Sequence, residues 1–172
     1  MFDVHPIVVH FPIALLMLYA MVEICSPHLS KYGKAHVAIK LSFLFIGTVA
    51  SWVALSTGEI AAETIGEGGL VGVHSFFAGA TVWIFSLTAG AYFWSYIAKP
   101  FLTKRNFRLP LAITKAIDTL AGLILHRVFV VLLAVAGLLT LTTTGALGGA
   151  IVYGPEVDPI VSFVYHLFSP LF

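Results

Sequence analysis

Residues 11–25 read FPIALLMLYAMVEIC, a run in which Glu23 is the only charged residue. A helix that crosses a bilayer needs roughly 20 predominantly apolar residues, and this run approaches that length together with its neighbours. Pro12 fits the first turn of such a helix, because the N–H group that proline lacks would have no helical partner there. The sequence therefore predicts a first membrane span over residues 11–27.

Three further apolar stretches have the length of a membrane span, and they cover residues 37–57, 73–98 and 120–144. Of the 172 residues, 59% are hydrophobic and 10% are charged, whereas a soluble domain carries about 25% charged residues. So little charge could not cover the surface of a soluble particle of this size. The composition predicts an all-α fold with one domain over residues 1–172, an integral membrane four-helix bundle surrounded by lipid.

The basic residues indicate the direction in which the bundle crosses the membrane. All nine lie in or beside the first and third loops: Lys31, Lys34, Lys40, Lys99, Lys104, Arg105, Arg108, Lys115 and Arg127. The opposite side carries acidic residues instead: Asp3, Glu59, Glu63, Glu67, Glu156 and Asp158. Loops rich in Lys and Arg stay in the cytoplasm. We therefore expect both termini on the non-cytoplasmic side, with residues 158–172 as an interfacial segment there.

Glu23 is an ionisable residue inside the first span, close to its predicted cytoplasmic end. Such a residue is costly in a bilayer unless it has a partner. We expect Glu23 to pair with a basic residue of the neighbouring loop, and a part in a proton path is the alternative. The net charge of the whole chain is +1, which gives no sign of a nucleic-acid partner.

Three histidines lie at the outer ends of the predicted spans. His5 and His10 precede the first span, and His74 begins the third. Since these two helices run in the same direction, their starts share one side of the membrane. The fourth helix ends on that side and leads into residues 145–154, GALGGAIVYG, which include Tyr153. The outer interface therefore gathers three histidines, a glycine-rich segment and a tyrosine.

Imidazoles on facing helices are typical of a haem site in a helical bundle, because haem iron takes two axial ligands. We expect His10 and His74 to be the axial pair of one non-covalent haem b. Gly148 and Gly149 would allow the macrocycle to approach closely and would offer N–H groups to a propionate, with Tyr153 beside them. The motif for covalent haem attachment, Cys-x-x-Cys-His, does not occur in the sequence.

His5 and His10 are five residues apart, which is about 140° around a regular helix. They cannot hold one metal ion together from a single helical face. His5 would therefore serve a second haem site, for which His166 or a neighbouring subunit would supply the other ligand, or it would act as a hydrogen-bonding group.

The outer side has no Lys or Arg to receive the haem propionates. We therefore expect a partner protein on the outer face to supply a cationic group. Electrons would pass between the haem and this redox partner or a quinone, while the protein would tune the potential. The sequence thus predicts an electron-transfer subunit of a larger redox complex rather than an enzyme.

Two other classes of function fit the same residues. In the first, the outer histidines with Glu59, Glu63 or Glu67 bind a divalent metal, since imidazole suits zinc, copper and nickel. In the second, the chain is a structural subunit of a membrane complex and holds no cofactor. Colour separates these alternatives from the haem hypothesis, because only haem would give a red protein.

The opening HPIVVHFPIAL of residues 5–15, together with His74 and the close GGAIVY of residues 148–153, resembles a family of bacterial membrane proteins called domain of unknown function 2231. The resemblance runs through nearly the whole chain. It implies a four-span module of the bacterial inner membrane and roles in haem binding for His5, His10 and His74. Family members often carry histidine where this chain has Ala146, a difference that argues against a second haem.

Overall fold

The computed structural model of the chain describes residues 5–29, 32–66, 68–107 and 109–171. These residues form an all-α structure in which no strand occurs. The first half contains helices α1 (His5–Ile24), α2 (Ser26–Leu29), α3 (Gly33–Ile65) and α4 (Gly69–Phe93), and α4 continues into a π-helical turn over Trp94–Ala98. The second half contains α5 (Lys99–Lys104), α6 (Leu111–Ile124), α7 (Arg127–Tyr153) and α8 (Pro159–Phe168), followed by a 3₁₀ turn over Ser169–Leu171.

Four helices are long and apolar enough to cross a membrane, namely α1, α3, α7 and the continuous segment that begins with α4. This confirms the predicted all-α membrane bundle with four long helices. Two of these helices extend further than the predicted spans, which ended at residues 57 and 144. Helix α3 continues through Gly58, and α7 continues through Gly145, because an isolated glycine weakens a helix without ending it.

The four long helices form a square. Helix α1 packs against α3 and α7, and α4 packs against the same two helices. Helices α1 and α4 are therefore diagonal partners across the bundle, as are α3 and α7. Side chains at the same depth on α1 and α4 can meet in the middle of the bundle, which is where helical bundles commonly hold cofactors.

The centre of the bundle is closed by three fully buried side chains, Leu16, Leu44 and Phe85, which we call the apolar layer. Two glycines make room for it. A Cβ atom at Gly137 would lie 2.7 Å from Cζ of Phe85, and one at Gly47 would lie 2.8 Å from Cδ2 of Leu16. The absence of side chains at these two positions therefore allows the helices to approach closely enough to seal the layer.

Gly137→Ala is expected to lower the free energy of unfolding by about 1–3 kcal/mol, because the added methyl group must displace the Phe85 ring in a filled core. Gly90→Ala is the matched control, since a Cβ atom at Gly90 meets no atom within 4 Å. Thermal unfolding of both variants in detergent would measure the difference. Equal midpoints for the two variants would contradict the tight contact between Gly137 and Phe85.

Two amphipathic helices lie beside the four long ones. Helix α6 is fixed to the π-helical turn and to the start of α5 by Asp118, which accepts hydrogen bonds from Trp94 Nε1 at 2.9 Å and from Lys99 Nζ at 2.9 Å. These two donors hold the pKa of the Asp118 carboxyl below its usual value. Helix α8 lies within the predicted interfacial segment. Asp158 caps it by accepting the N–H groups of Ile160 and Val161.

Candidate functional site

Two histidines lie together at one end of the bundle. Nδ1 of His5 on α1 is 3.0 Å from Oγ1 of Thr57 on α3, and Nδ1 of His74 on α4 is 3.0 Å from the carbonyl oxygen of Thr144 on α7. His5 and His74 thus lie at the same end of the bundle, on the diagonal helices α1 and α4. We call this group of four residues the histidine end. Each diagonal helix thus contributes one imidazole, and each neighbouring helix contributes the oxygen that orients it.

The oxygen partners determine which ring nitrogen carries the proton. A carbonyl oxygen can only accept, so Nδ1 of His74 must donate to Thr144. The hydroxyl of Thr57 donates its own proton to the carbonyl of Ala54 at 2.9 Å, so its oxygen is left to accept from Nδ1 of His5. In the neutral form of each ring the lone pair is therefore on Nε2, the nitrogen that commonly binds a metal when Nδ1 is anchored by an oxygen.

Glycines give both rings their space. A Cβ atom at Gly58 would lie 2.9 Å from Cε1 of His5, and one at Gly148 would lie 3.2 Å from Cε1 of His74. Gly148, which was predicted to allow the close approach of a macrocycle, leaves room for the His74 ring in the structure. A Cβ atom at Gly149 would instead meet Val161 of α8 at 3.3 Å. Both glycines lie inside α7, whose helical hydrogen bonds use backbone N–H groups, and their predicted contact with a haem stays a prediction.

The remaining predicted residues lie apart from this pair. His10 is exposed, which follows from its position about 140° around α1 from His5, because only one of the two can face the bundle interior. The pairing of His10 with His74 stays a prediction, while the described contacts centre on His5 and His74. Tyr153 is 73% exposed at the end of α7.

His166 is engaged on the surface by a neighbouring carboxylate. Its Nε2 lies 3.0 Å from Oε1 of Glu156, and both side chains are exposed. The hydroxyl of Ser162 also donates to Glu156, and the two contacts hold the pKa of the Glu156 carboxyl below its usual value. This arrangement gives His166 a role in fixing α8 to the turn before it.

The described residues offer no group of three or more His, Cys, Asp or Glu side chains that could hold a metal ion. Glu59 and Glu63 are exposed on α3, and Glu67 lies outside the described residues. A protein site for zinc usually provides three or four ligands. Among the described residues, His5 and His74 therefore have no third His, Cys, Asp or Glu side chain beside them that could complete such a site.

A second ionisable group lies at the opposite end of the bundle. Nζ of Lys40 is 3.0 Å from Oε2 of Glu23, and both side chains are buried. Tyr19 and Tyr92 donate to the same carboxylate at 3.1 and 2.8 Å. We call these four residues the lysine end. The expected pairing of Glu23 with a basic residue is confirmed, and the two tyrosines are additional partners that the sequence pattern did not indicate.

The four apolar helices, with ionisable groups at both ends of the bundle, define a multi-pass α-helical membrane protein. No protein-family model, curated protein or solved structure matches this chain. The residues and their geometry are therefore the basis for any assignment of function.

Proposed function

We propose that the chain is a small b-type cytochrome-like membrane subunit that carries electrons through one non-covalent haem at the histidine end. One observation carries the proposal: two imidazoles from the diagonal helices α1 and α4 are both anchored through Nδ1. This leaves two Nε2 lone pairs, and haem iron takes two axial ligands. Haem would supply one-electron redox chemistry, and the protein would hold and orient it.

The residues at the histidine end fit this group in their chemistry. Neutral imidazole is the usual axial ligand, and an oxygen acceptor on the other ring nitrogen fixes the orientation of the ring and raises its basicity. Thr57 and the carbonyl of Thr144 are such acceptors, and Gly58 and Gly148 leave room for the rings. The described contacts favour His5 over His10 as the partner of His74.

We further propose that the histidine end faces the non-cytoplasmic side of a bacterial inner membrane, with both termini on that side. All nine Lys and Arg residues lie in or beside the loops of the opposite side by sequence, and loops rich in Lys and Arg stay in the cytoplasm. A partner protein on the outer face would supply the cation for the propionates. It or a quinone would exchange electrons with the haem. The resemblance to domain of unknown function 2231 is consistent with this proposal.

A reduced-minus-oxidised visible spectrum of the detergent-purified protein, expressed with ample haem, tests the proposal. We expect sharp b-type bands in the parent that are lost in His5→Ala and in His74→Ala. His10→Ala is the matched control on the exposed face of α1, and it should keep the bands. If His10→Ala loses them and His5→Ala keeps them, the axial pair is His10 and His74. A colourless parent would contradict haem binding and favour the structural-subunit alternative.

A further inference from the structure

The lysine end contains two buried charges in a part of the chain that crosses the membrane. Glu23 is 3% exposed and Lys40 is 6% exposed. The carboxylate accepts from Lys40, Tyr19 and Tyr92, and Nζ of Lys40 also donates to the Tyr92 hydroxyl at 2.8 Å. A buried ion pair is weak evidence for stability, because apolar replacements are often equally stable. Ionisable residues at membrane depth more often mark paths for ions or protons.

Along α3, His36 lies between Lys40 and the nearby end of the bundle. It lies in the first turn of α3, one helical turn before Lys40 and on the same face. The side chain is 8% exposed, and its Nε2 has no hydrogen-bond partner among the described residues. Buried polar atoms are nearly always hydrogen-bonded, so one that is not calls for a specific explanation. An imidazole nitrogen that exchanges protons is such an explanation.

We propose that Glu23, Lys40 and Tyr92 form a proton-binding site at the lysine end, and that His36 connects this site to the aqueous phase. A proton from water first binds to Nε2 of His36. The Lys40 ammonium then passes a proton to the Glu23 carboxylate across their 3.0 Å contact. The resulting amine takes the proton from His36 when these two side chains, one helical turn apart on the same face of α3, approach each other. The network gains one proton, with Glu23 neutral, Lys40 charged and His36 returned to its neutral form.

The surroundings define the side from which protons arrive. The titratable groups bonded to Glu23 are Tyr19 from its own helix α1, Lys40 from α3 and Tyr92 from α4, whose ring lies 5.8 Å from that of Tyr96. His36 lies one helical turn before Lys40 on α3. Helix α7 contributes the apolar Val130 to the same cluster. The apolar layer separates the site from the histidine end, so protons enter and leave through the lysine end. This inference does not depend on haem binding.

Infrared difference spectroscopy of the purified full-length protein after a rapid drop in pH tests the proposal. The parent should gain the absorption of a protonated carboxyl group that Glu23→Gln lacks. His36→Ala should slow the appearance of this band about 100-fold, the low end of what a positioned proton-transfer group contributes. Imidazole added to the buffer should restore the rate. His28→Ala, which removes an exposed histidine, is the matched control and should behave as the parent does.

Two results would overturn the proposal. A carboxylate at Glu23 that stays ionised at every pH at which the protein is folded would identify a fixed structural ion pair. A His36→Ala variant that gains the band as fast as the parent would exclude His36 as the connection to water. If Glu23→Gln alone does not fold, the double variant Glu23→Gln/Lys40→Met removes both charges together, and it should fold without the band.

Discussion

Thr57→Val is expected to weaken haem binding about 10- to 100-fold, the usual effect of removing the group that orients a metal-ligating histidine. Valine keeps the shape of threonine but cannot accept the Nδ1–H of His5, which the Thr57 hydroxyl oxygen does at 3.0 Å. The ring would then lose both its fixed orientation and part of its basicity. Titration of haem into the haem-free variant, followed by absorbance, would measure the affinity.

The same substitution at Thr144 is the control for this experiment. His74 donates to the backbone carbonyl of Thr144 rather than to its hydroxyl, and Thr144→Val keeps that carbonyl. Haem affinity should therefore stay nearly unchanged. Equal losses in the two variants would mean that the hydroxyls act through packing. Unchanged affinity in Thr57→Val would contradict the assignment of His5 as an axial ligand.

The fold could be predicted from hydropathy because helices surrounded by lipid must be long and apolar. Four stretches are apolar enough for lipid, and all four are long helices in the structure. Their ends were harder to predict, as the continuation of α3 through Gly58 and of α7 through Gly145 illustrates. The predicted spans ended before these two glycines, but beyond Gly145 helix α7 packs against α8 through Leu147 and Ala150. Where a membrane helix ends depends on its contacts with other helices. The hydropathy of one segment gives no information on those contacts.

The candidate site could be predicted only in part. Parallel helices start on the same side, so the meeting of histidines from α1 and α4 followed from topology alone. Which histidine of α1 faces inward depends on the rotation of the helix, and the sequence favoured His10 whereas the structure turns His5 inward. The oxygen partners Thr57 and Thr144 lie 52 and 70 residues away along the chain. The only sequence feature that indicated these two partners was a threonine next to a glycine near the end of a predicted span: Thr57 precedes Gly58, and Thr144 precedes Gly145.

Lys40→Met is expected to lower the free energy of unfolding by about 3–5 kcal/mol, because it leaves the Glu23 carboxylate buried without a compensating charge. Lys34→Met is the matched control, since Lys34 is exposed on the same helix, and its effect should be small. Chemical unfolding in detergent, followed by circular dichroism, would measure both variants against the parent.

The double variant Glu23→Gln/Lys40→Met distinguishes two contributions to the free energy of unfolding: the stabilisation by the ion pair and the destabilisation by an unpaired buried charge. Glutamine can still accept from Tyr19 and Tyr92, which bond to Glu23 at 3.1 and 2.8 Å, and no charge remains buried. Stability should therefore return most of the way to that of the parent. A double variant as unstable as Lys40→Met would show that the pair itself stabilises the contact between α1, α3 and α4. Full recovery would show that the buried charges are dispensable for folding, as expected if they serve proton exchange.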